Sequence, residues 1–242
     1  KEYIGNNEQL IKKEQNYDSS VLINQYLSSA EIISGQSSDG CSVWSRNIRH
    51  EDFLVIRLGT GNVDFSSHLS VPKQRFSLYK DKMAELPHRL YEKYRYIPGA
   101  VVTLGLKDIN MLGIIGEKQY TDAAAMNILI QTAALHCYTD VRIAAFFRSD
   151  ETELFSWLRW LPHSNSEDMR LRMTACGGIS QQNIIYHLDE VLRTRIEKLN
   201  EENFSGDFYP HYIVFCTDRE IFDGDSIERY IPMAAKLGFT FI

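Results

Sequence analysis

The chain has 242 residues, 44% of them hydrophobic, with 26 Lys and Arg against 32 Asp and Glu, a formal charge of −6. That length suits one large domain or a domain with an appendage, with ample material for a core. The acidic balance and the lack of a polybasic run argue against a duplex-DNA surface, and no apolar run approaches the ~20 residues of a membrane-spanning helix.

No signal peptide is visible. The chain begins at Lys1 and is expected to be a piece of something longer. Its cysteines (Cys41, Cys137, Cys176 and Cys216) lack C-x-x-C spacing, which favours a reduced, cytosolic setting. Cys137 and Cys216 sit in apolar patterns and read as free buried thiols. The histidines show no H-x-x-x-H spacing, so no metal site is predicted.

Residues 1–40 read as a helical stalk or linker. Val21, Leu22, Tyr26, Leu27, Ala30 and Ile33 give a narrow apolar helix face, with Asp18 as its N-cap. Ser34 to Gly40 is a loop by composition, and the main domain boundary is placed there. Phe53–Leu58 predicts a strand closed by Gly59-Thr60-Gly61, and 72–95 a helical stretch broken near Pro87. Ala100–Leu106 and Met111–Ile115 are further strands, followed by a helix from about Asp122 to His136. Val141–Phe147 is a continuous apolar run of the kind buried in a parallel sheet.

A short helix is expected from about Glu151 to Leu161, ending before Pro162. A longer one, about Gln181 to Glu202, carries the stripe Ile184, Leu188, Val191, Leu192, Arg195 and Leu199 and takes Ser180 as its cap. Tyr212–Cys216 is a core strand, followed by a helix from about Ser226 to Leu237 and a last strand from Phe239 to Ile242. Strands alternating with helices predict a three-layer α/β domain around a mostly parallel sheet.

The stretch from Leu112 to Asn127 has the strand, loop and helix order of a Walker A motif, G-x-x-x-x-G-K-[ST]. Gly116 takes the first glycine's place, Thr121 the second's, Asp122 the lysine's and Ala123 the hydroxyl residue's. The lysine that would neutralise phosphates and the hydroxyl that would hold Mg²⁺ are both missing. A helix N-terminus favours an anion by roughly 0.3–1 kcal/mol. A carboxylate about 4 Å from a phosphate charge costs on the order of 4 kcal/mol at an effective dielectric of ~20. Repulsion wins if Asp122 points into the loop. The simpler alternative is that Thr121 or Asp122 caps the helix, so that a side chain fills the anion site.

Asp218, after four apolar residues, has the layout of a Walker B carboxylate. Gly116, Asp122 and Asp218 could therefore converge on one crevice at the strands' carboxyl ends. The alternative for Asp218 is an ordinary turn or helix cap. These features predict a P-loop NTPase-like, RecA-like domain over 41–242, continuing past Ile242, with a degenerate site. No nucleophile elbow is present, and His163 reads as a structural hydrogen-bonder rather than a base.

Trp44-Ser-Arg46, Asp52-Phe-Leu-Val-Ile-Arg57-Leu-Gly59-Thr-Gly61, Arg142-Ile-Ala and Trp157-Leu-Arg-Trp160-Leu-Pro-His163 together resemble boxes of one family. It is the membrane-anchored FtsK/SpoIIIE-type ATPases of type VII secretion (the EssC/EccC family), and the resemblance covers about Cys41 to Ile242. It implies a juxtamembrane domain on the cytoplasmic face, after a helical stalk and before tandem ATPase domains. It also implies that ATP and Mg²⁺ act in those downstream domains and that no cofactor is held here. Hexamers and other secretion-membrane components are the implied partners, with small helical WXG-type proteins as cargo. Trp157 and Trp160, three apart on a helix, share a face and pack the core or a subunit contact. Arg57 makes a strand-end salt bridge or reaches a neighbouring subunit or an anion. An atypical Mg-ATP-binding ATPase acting across a hexamer interface, with Lys118 or Arg57 supplying the cation, and a DNA translocase module are the alternative readings.

Overall fold

The computed structural model describes residues 2–35, 43–71, 85–201, 206–222 and 224–242. Most of the loop where a domain boundary is expected, together with Cys41 and the start of the predicted 72–95 helix, lies outside them. The chain forms two compact units: Lys1–Glu31 with Arg57–Leu104, and Ile32–Ile56 with Gly105–Ile242.

In the first unit, α1 (Glu2–Gln25) runs well upstream of Asp18, which lies inside the helix rather than capping it. The helix does not continue to Ile33. Ser28 and Glu31 form a reciprocal capping box: the Glu31 carboxylate accepts from the Ser28 backbone N–H (2.7 Å) and hydroxyl (2.6 Å), and the Glu31 N–H donates to Ser28 Oγ (3.3 Å). A new helix, α2 (Ser29–Ser34), begins there.

Strand β1 (Val55–Asp64) pairs with β2 (Tyr96–Gly105) and runs through Gly59 and Gly61 instead of ending at them. A methyl group on Gly61 would meet Val102 Cγ2 at 3.0 Å, so this glycine serves close strand approach rather than a turn. Helix α3 (Leu86–Tyr94) carries Pro87 in its first turn, where proline starts a helix instead of breaking one. Phe65, Ile97 and Ala100 make the small core. Gln15 of α1 is buried and donates to Tyr94 O (2.7 Å), while Glu8 accepts from Lys93 (2.8 Å) and from the Tyr94 hydroxyl.

The second unit is built on a four-stranded parallel sheet in the order β4-β3-β5-β6: β3 Val141–Phe146, β4 Thr174–Ala175, β5 His211–Cys216 and β6 Phe239–Phe241. Ala144, Phe146, Tyr212 and Val214 pack with Ile184, Leu188 and Leu192 of α6 (Gly178–Leu199). The alternate residues Ile143, Ala145, Ile213 and Phe215 point to the opposite face and are also buried. Both faces of the sheet are thus covered, as uninterrupted apolar strands require.

Several expected elements differ. Met111–Ile115 is not a strand: Met111 makes one parallel bridge to Phe241, and Ile115 is 98% exposed. The Leu112 N–H donates to Phe241 O (2.8 Å) and the Phe241 N–H to Asn110 O (3.0 Å), and the pairing goes no further along the run among the described residues. Helix α4 (Lys118–Leu135) begins before Thr121, with Glu117 as N-cap and no side-chain cap, so neither Thr121 nor Asp122 caps it. The span 149–164 is mainly 3₁₀ turns around the single α-turn α5 (Thr152–Phe155). Helix α6 starts after Gly177, whose φ of 105° only glycine adopts easily, and Ser180 is inside it. Residues 228–237 form 3₁₀ turns because Pro232 lacks the N–H that an α-helix needs.

Candidate functional site

Met111 lies beside β6, and β6 lies beside β5, so the loop that follows Met111 stands two strand spacings, roughly 10 Å, from the strand leading to Asp218. Between them, at the carboxyl ends of β5 and β6, is a cavity of about 880 Å³. Open α/β sheets place ligands there. Ile114, Phe155, Phe222 and Phe241 make much of its wall, and Gly116, Lys118, Thr121, Asp122, Arg148 and Glu151 bring the polar groups.

Those polar groups are engaged with one another. Lys118 Nζ donates to Glu151 Oε1 at 2.6 Å and lies 3.5 Å from the Asp122 carboxylate, one helical turn on. Glu151 also accepts from the Arg148 backbone N–H (3.2 Å) and approaches its guanidinium (3.4 Å). Burial pushes the Glu151 carboxyl up, but the bonds from Lys118 and the Arg148 N–H outweigh it and hold it below the usual carboxylate range. The same bond to Glu151 raises the Lys118 ammonium above its ordinary value. The Thr121 hydroxyl turns back to donate to Lys118 O (2.9 Å). A methyl on Gly116 would touch nothing nearer than Thr121 Cγ2 at 3.7 Å, so this conformation does not demand a glycine.

Gly116, Thr121 and Asp122 therefore share the cavity, while Asp218 is not among its lining residues. The Asp218 carboxylate accepts from the Glu220 N–H (3.0 Å), the geometry of a turn-starting aspartate, and its carbonyl accepts from the Cys216 thiol (2.6 Å). Burial pushes that thiol up to about 11. No group of His, Cys, Asp and Glu among the described residues could hold a metal ion. None of their helices is long and apolar enough to cross a membrane.

The tryptophan boxes meet at the other end of α4. The Trp44 N–H donates to Ala134 O (2.8 Å), its indole to Ala133 O (3.2 Å) and the Arg46 N–H to Leu135 O (2.9 Å), which satisfies carbonyls a helix end leaves open. Arg46 is buried, pairs with Asp52 (3.1 Å) and donates to Val55 O. His136 follows the helix: its Nδ1 donates to Thr132 O (3.1 Å) and its Nε2 accepts from the Leu54 N–H (2.9 Å), which sets the tautomer. Burial lowers the His136 imidazole to about 4, and burial likewise lowers His163. His163 donates from Nε2 to His136 O (2.8 Å) and packs edge-on to Trp44.

Trp157 lines an apolar hollow together with Ala133, Ala134 and Leu161. Trp160 does not share that environment: it is 76% exposed, because Pro162 holds Leu161 extended and ends the turn at Trp160. Arg57, in the first unit, donates to Tyr26 O (2.9 Å) and pairs with Glu31 (3.6 Å), so an ion pair within the chain engages it. Sequence reasoning missed Glu151 as the partner of Lys118, and Arg46, His136 and Arg142 as buried polar anchors. An acidic residue after a core strand was the available signal for Glu151.

The fold and cavity define a parallel α/β unit with a ligand-sized site at its strand ends. Over 236 residues, 96% of the chain, it is 25% identical to "Type VII secretion system protein EssC" of Staphylococcus aureus strains MSSA476 and NCTC 8325. Over 194 residues, 78% of the chain, it is 25% identical to "ESX secretion system protein EccC" of Geobacillus thermodenitrificans strain NG80-2. These homologues agree with the resemblance read from the tryptophan boxes. The chain spans 16% and 13% of their respective lengths. No protein-family model matches the chain.

Proposed function

We propose that the chain is a cytoplasmic juxtamembrane domain of a type VII secretion motor, of P-loop NTPase-like fold with a degenerate nucleotide site. It couples a membrane anchor to downstream ATPase domains that export small helical proteins, within a hexameric assembly, and does not itself hydrolyse ATP. The homologues' names support the secretion role. The parallel sheet supports the fold: β6 lies between the bridge at Met111, which leads into the loop, and β5, which leads to Asp218.

One observation carries the non-catalytic reading. Lys118, the cation of the loop, is held by Glu151 at 2.6 Å and Asp122 at 3.5 Å, on a helix start that lacks the lysine and hydroxyl of a working loop. An incoming triphosphate meets two carboxylates already placed on the charge it would need. Isothermal titration with Mg-ATP tests this: no binding at micromolar concentration is expected, and micromolar binding with turnover by the isolated chain overturns it.

A further inference from the structure

We propose that Trp160, with Arg159 and Arg172, forms a docking site for a short acidic segment of a partner protein. The proposal is independent of what the cavity binds. The Arg159 guanidinium carbon lies 5.3 Å from the Trp160 ring centroid and that of Arg172 lies 5.8 Å away, so one indole collects two cations. All three side chains are exposed, and neither arginine has a carboxylate partner among the described residues. A guanidinium resting on an aromatic face keeps its N–H edges outward, where they match a carboxylate in bidentate fashion.

The site is built before any partner arrives. Arg172 stands in an antiparallel bridge with Asn165. The turn between them is tied by Ser166, whose hydroxyl donates to Asp168 (2.5 Å) and accepts from the Leu171 N–H (3.0 Å). Asp168 is thereby occupied, and it also pairs with Arg170 (3.6 Å) rather than with Arg172. Preorganised Trp and Arg side chains are favoured anchors of protein interfaces because little ordering is left for the binding event.

Charge selects the kind of partner. Lipid headgroup recognition draws on clusters of about 4–8 basic residues, and duplex DNA on about 6–10 phosphate contacts. Two free guanidinium groups on a chain of net charge −6 fall short of both. They do match two carboxylates in an extended peptide, where side chains two residues apart lie about 7 Å from one another on one face.

Fluorescence anisotropy of a fluorescein-labelled glutamate–tyrosine copolymer, titrated with the whole chain, tests the proposal. Saturable binding is expected. It should weaken at least tenfold in Trp160→Ala and in the double variant R159E/R172E, and should persist in R193E, which makes the same kind of charge change on exposed Arg193 of α6. Circular dichroism checks that each variant keeps its fold. Absence of copolymer binding overturns the proposal, and so does an equal loss in R193E. Sedimentation of the chain with phosphatidylserine vesicles that the same two variants abolish would assign the patch to a membrane and overturn it as well.

Discussion

Lys118 and Glu151 lie 33 positions apart and meet at 2.6 Å in the wall of the cavity, an ion pair with its acidic partner buried and its basic partner half exposed. Glu151→Gln removes the negative charge while keeping the shape. A charge about 4 Å from an anion is worth on the order of 4 kcal/mol at an effective dielectric of ~20, an upper bound at so open a site. We expect at least a tenfold gain in Mg-ATP retention by calorimetry. No gain would show that Glu151 is not what withholds the lysine.

Stability should fall as the solution is acidified below neutral. His136 is lowered to about 4 and His211 to about 3 by burial, with His163 shifted in the same direction. The unfolded chain therefore binds more protons than the folded one between the ordinary histidine value and those lowered values. Stability is complete above about pH 6.5 and is lost as pH falls toward 4, by up to about 1.4 kcal/mol per pH unit for each such histidine. Urea melts between pH 4.5 and 7.5 should show that slope, and His136→Gln should flatten it. A profile flat across this range would contradict the buried, neutral state of these rings.

Arg195 occupies the apolar stripe of α6, where its guanidinium donates to Leu237 O (2.7 Å), Gly238 O (3.3 Å) and Pro210 O (2.7 Å) and rests near the rings of Phe208, Tyr212 and Phe239. Lysine has the charge but not the planar fork. Arg195→Lys should cost about 2–3 kcal/mol, and Arg195→Leu at least as much, since each orphaned buried acceptor costs roughly 1–3 kcal/mol. Chemical denaturation measures both. A lysine variant as stable as the parent would mean that charge alone suffices.

Gly238 ends the 3₁₀ turn before β6 at φ 71°, and an added Cβ would lie 2.6 Å from Phe208 O. The clash is with backbone, which cannot swing aside. Gly238→Ala is expected to cost more than the ~1–2 kcal/mol of left-handed strain alone. A thermal melt reads this directly, and a change under 1 kcal/mol would mean that the Phe208 segment yields.

The parallel sheet was legible because Val141–Phe146 and His211–Cys216 are uninterrupted apolar runs with no competing helical period. Helix α6 was legible from its stripe, except that Arg195 entered as a periodic position without its distant carbonyl partners. The Ser28–Glu31 capping box was visible as S-x-x-E but was masked by apolar residues on both sides of it. Met111–Ile115 shows the limit of composition, since its pairing with β6 stops after a single bridge and Ile115 is left exposed. That Gly116, Thr121 and Asp122 would line one cavity could be read from their spacing. Their electrostatics were not, because Glu151 arrives from a separate segment.

The His136 ring, one donor and one acceptor held at fixed positions, does the work of a peptide group. It takes the Leu54 N–H and gives its own hydrogen to Thr132 O, joining residues 82 positions apart in sequence beyond the single bridge that Arg46 makes to His136. A backbone amide in that place would be indifferent to acid. The imidazole is not: a proton added at Nε2 would turn the acceptor into a donor facing the Leu54 N–H, so this joint would come apart by reversal of polarity rather than by loss of contact.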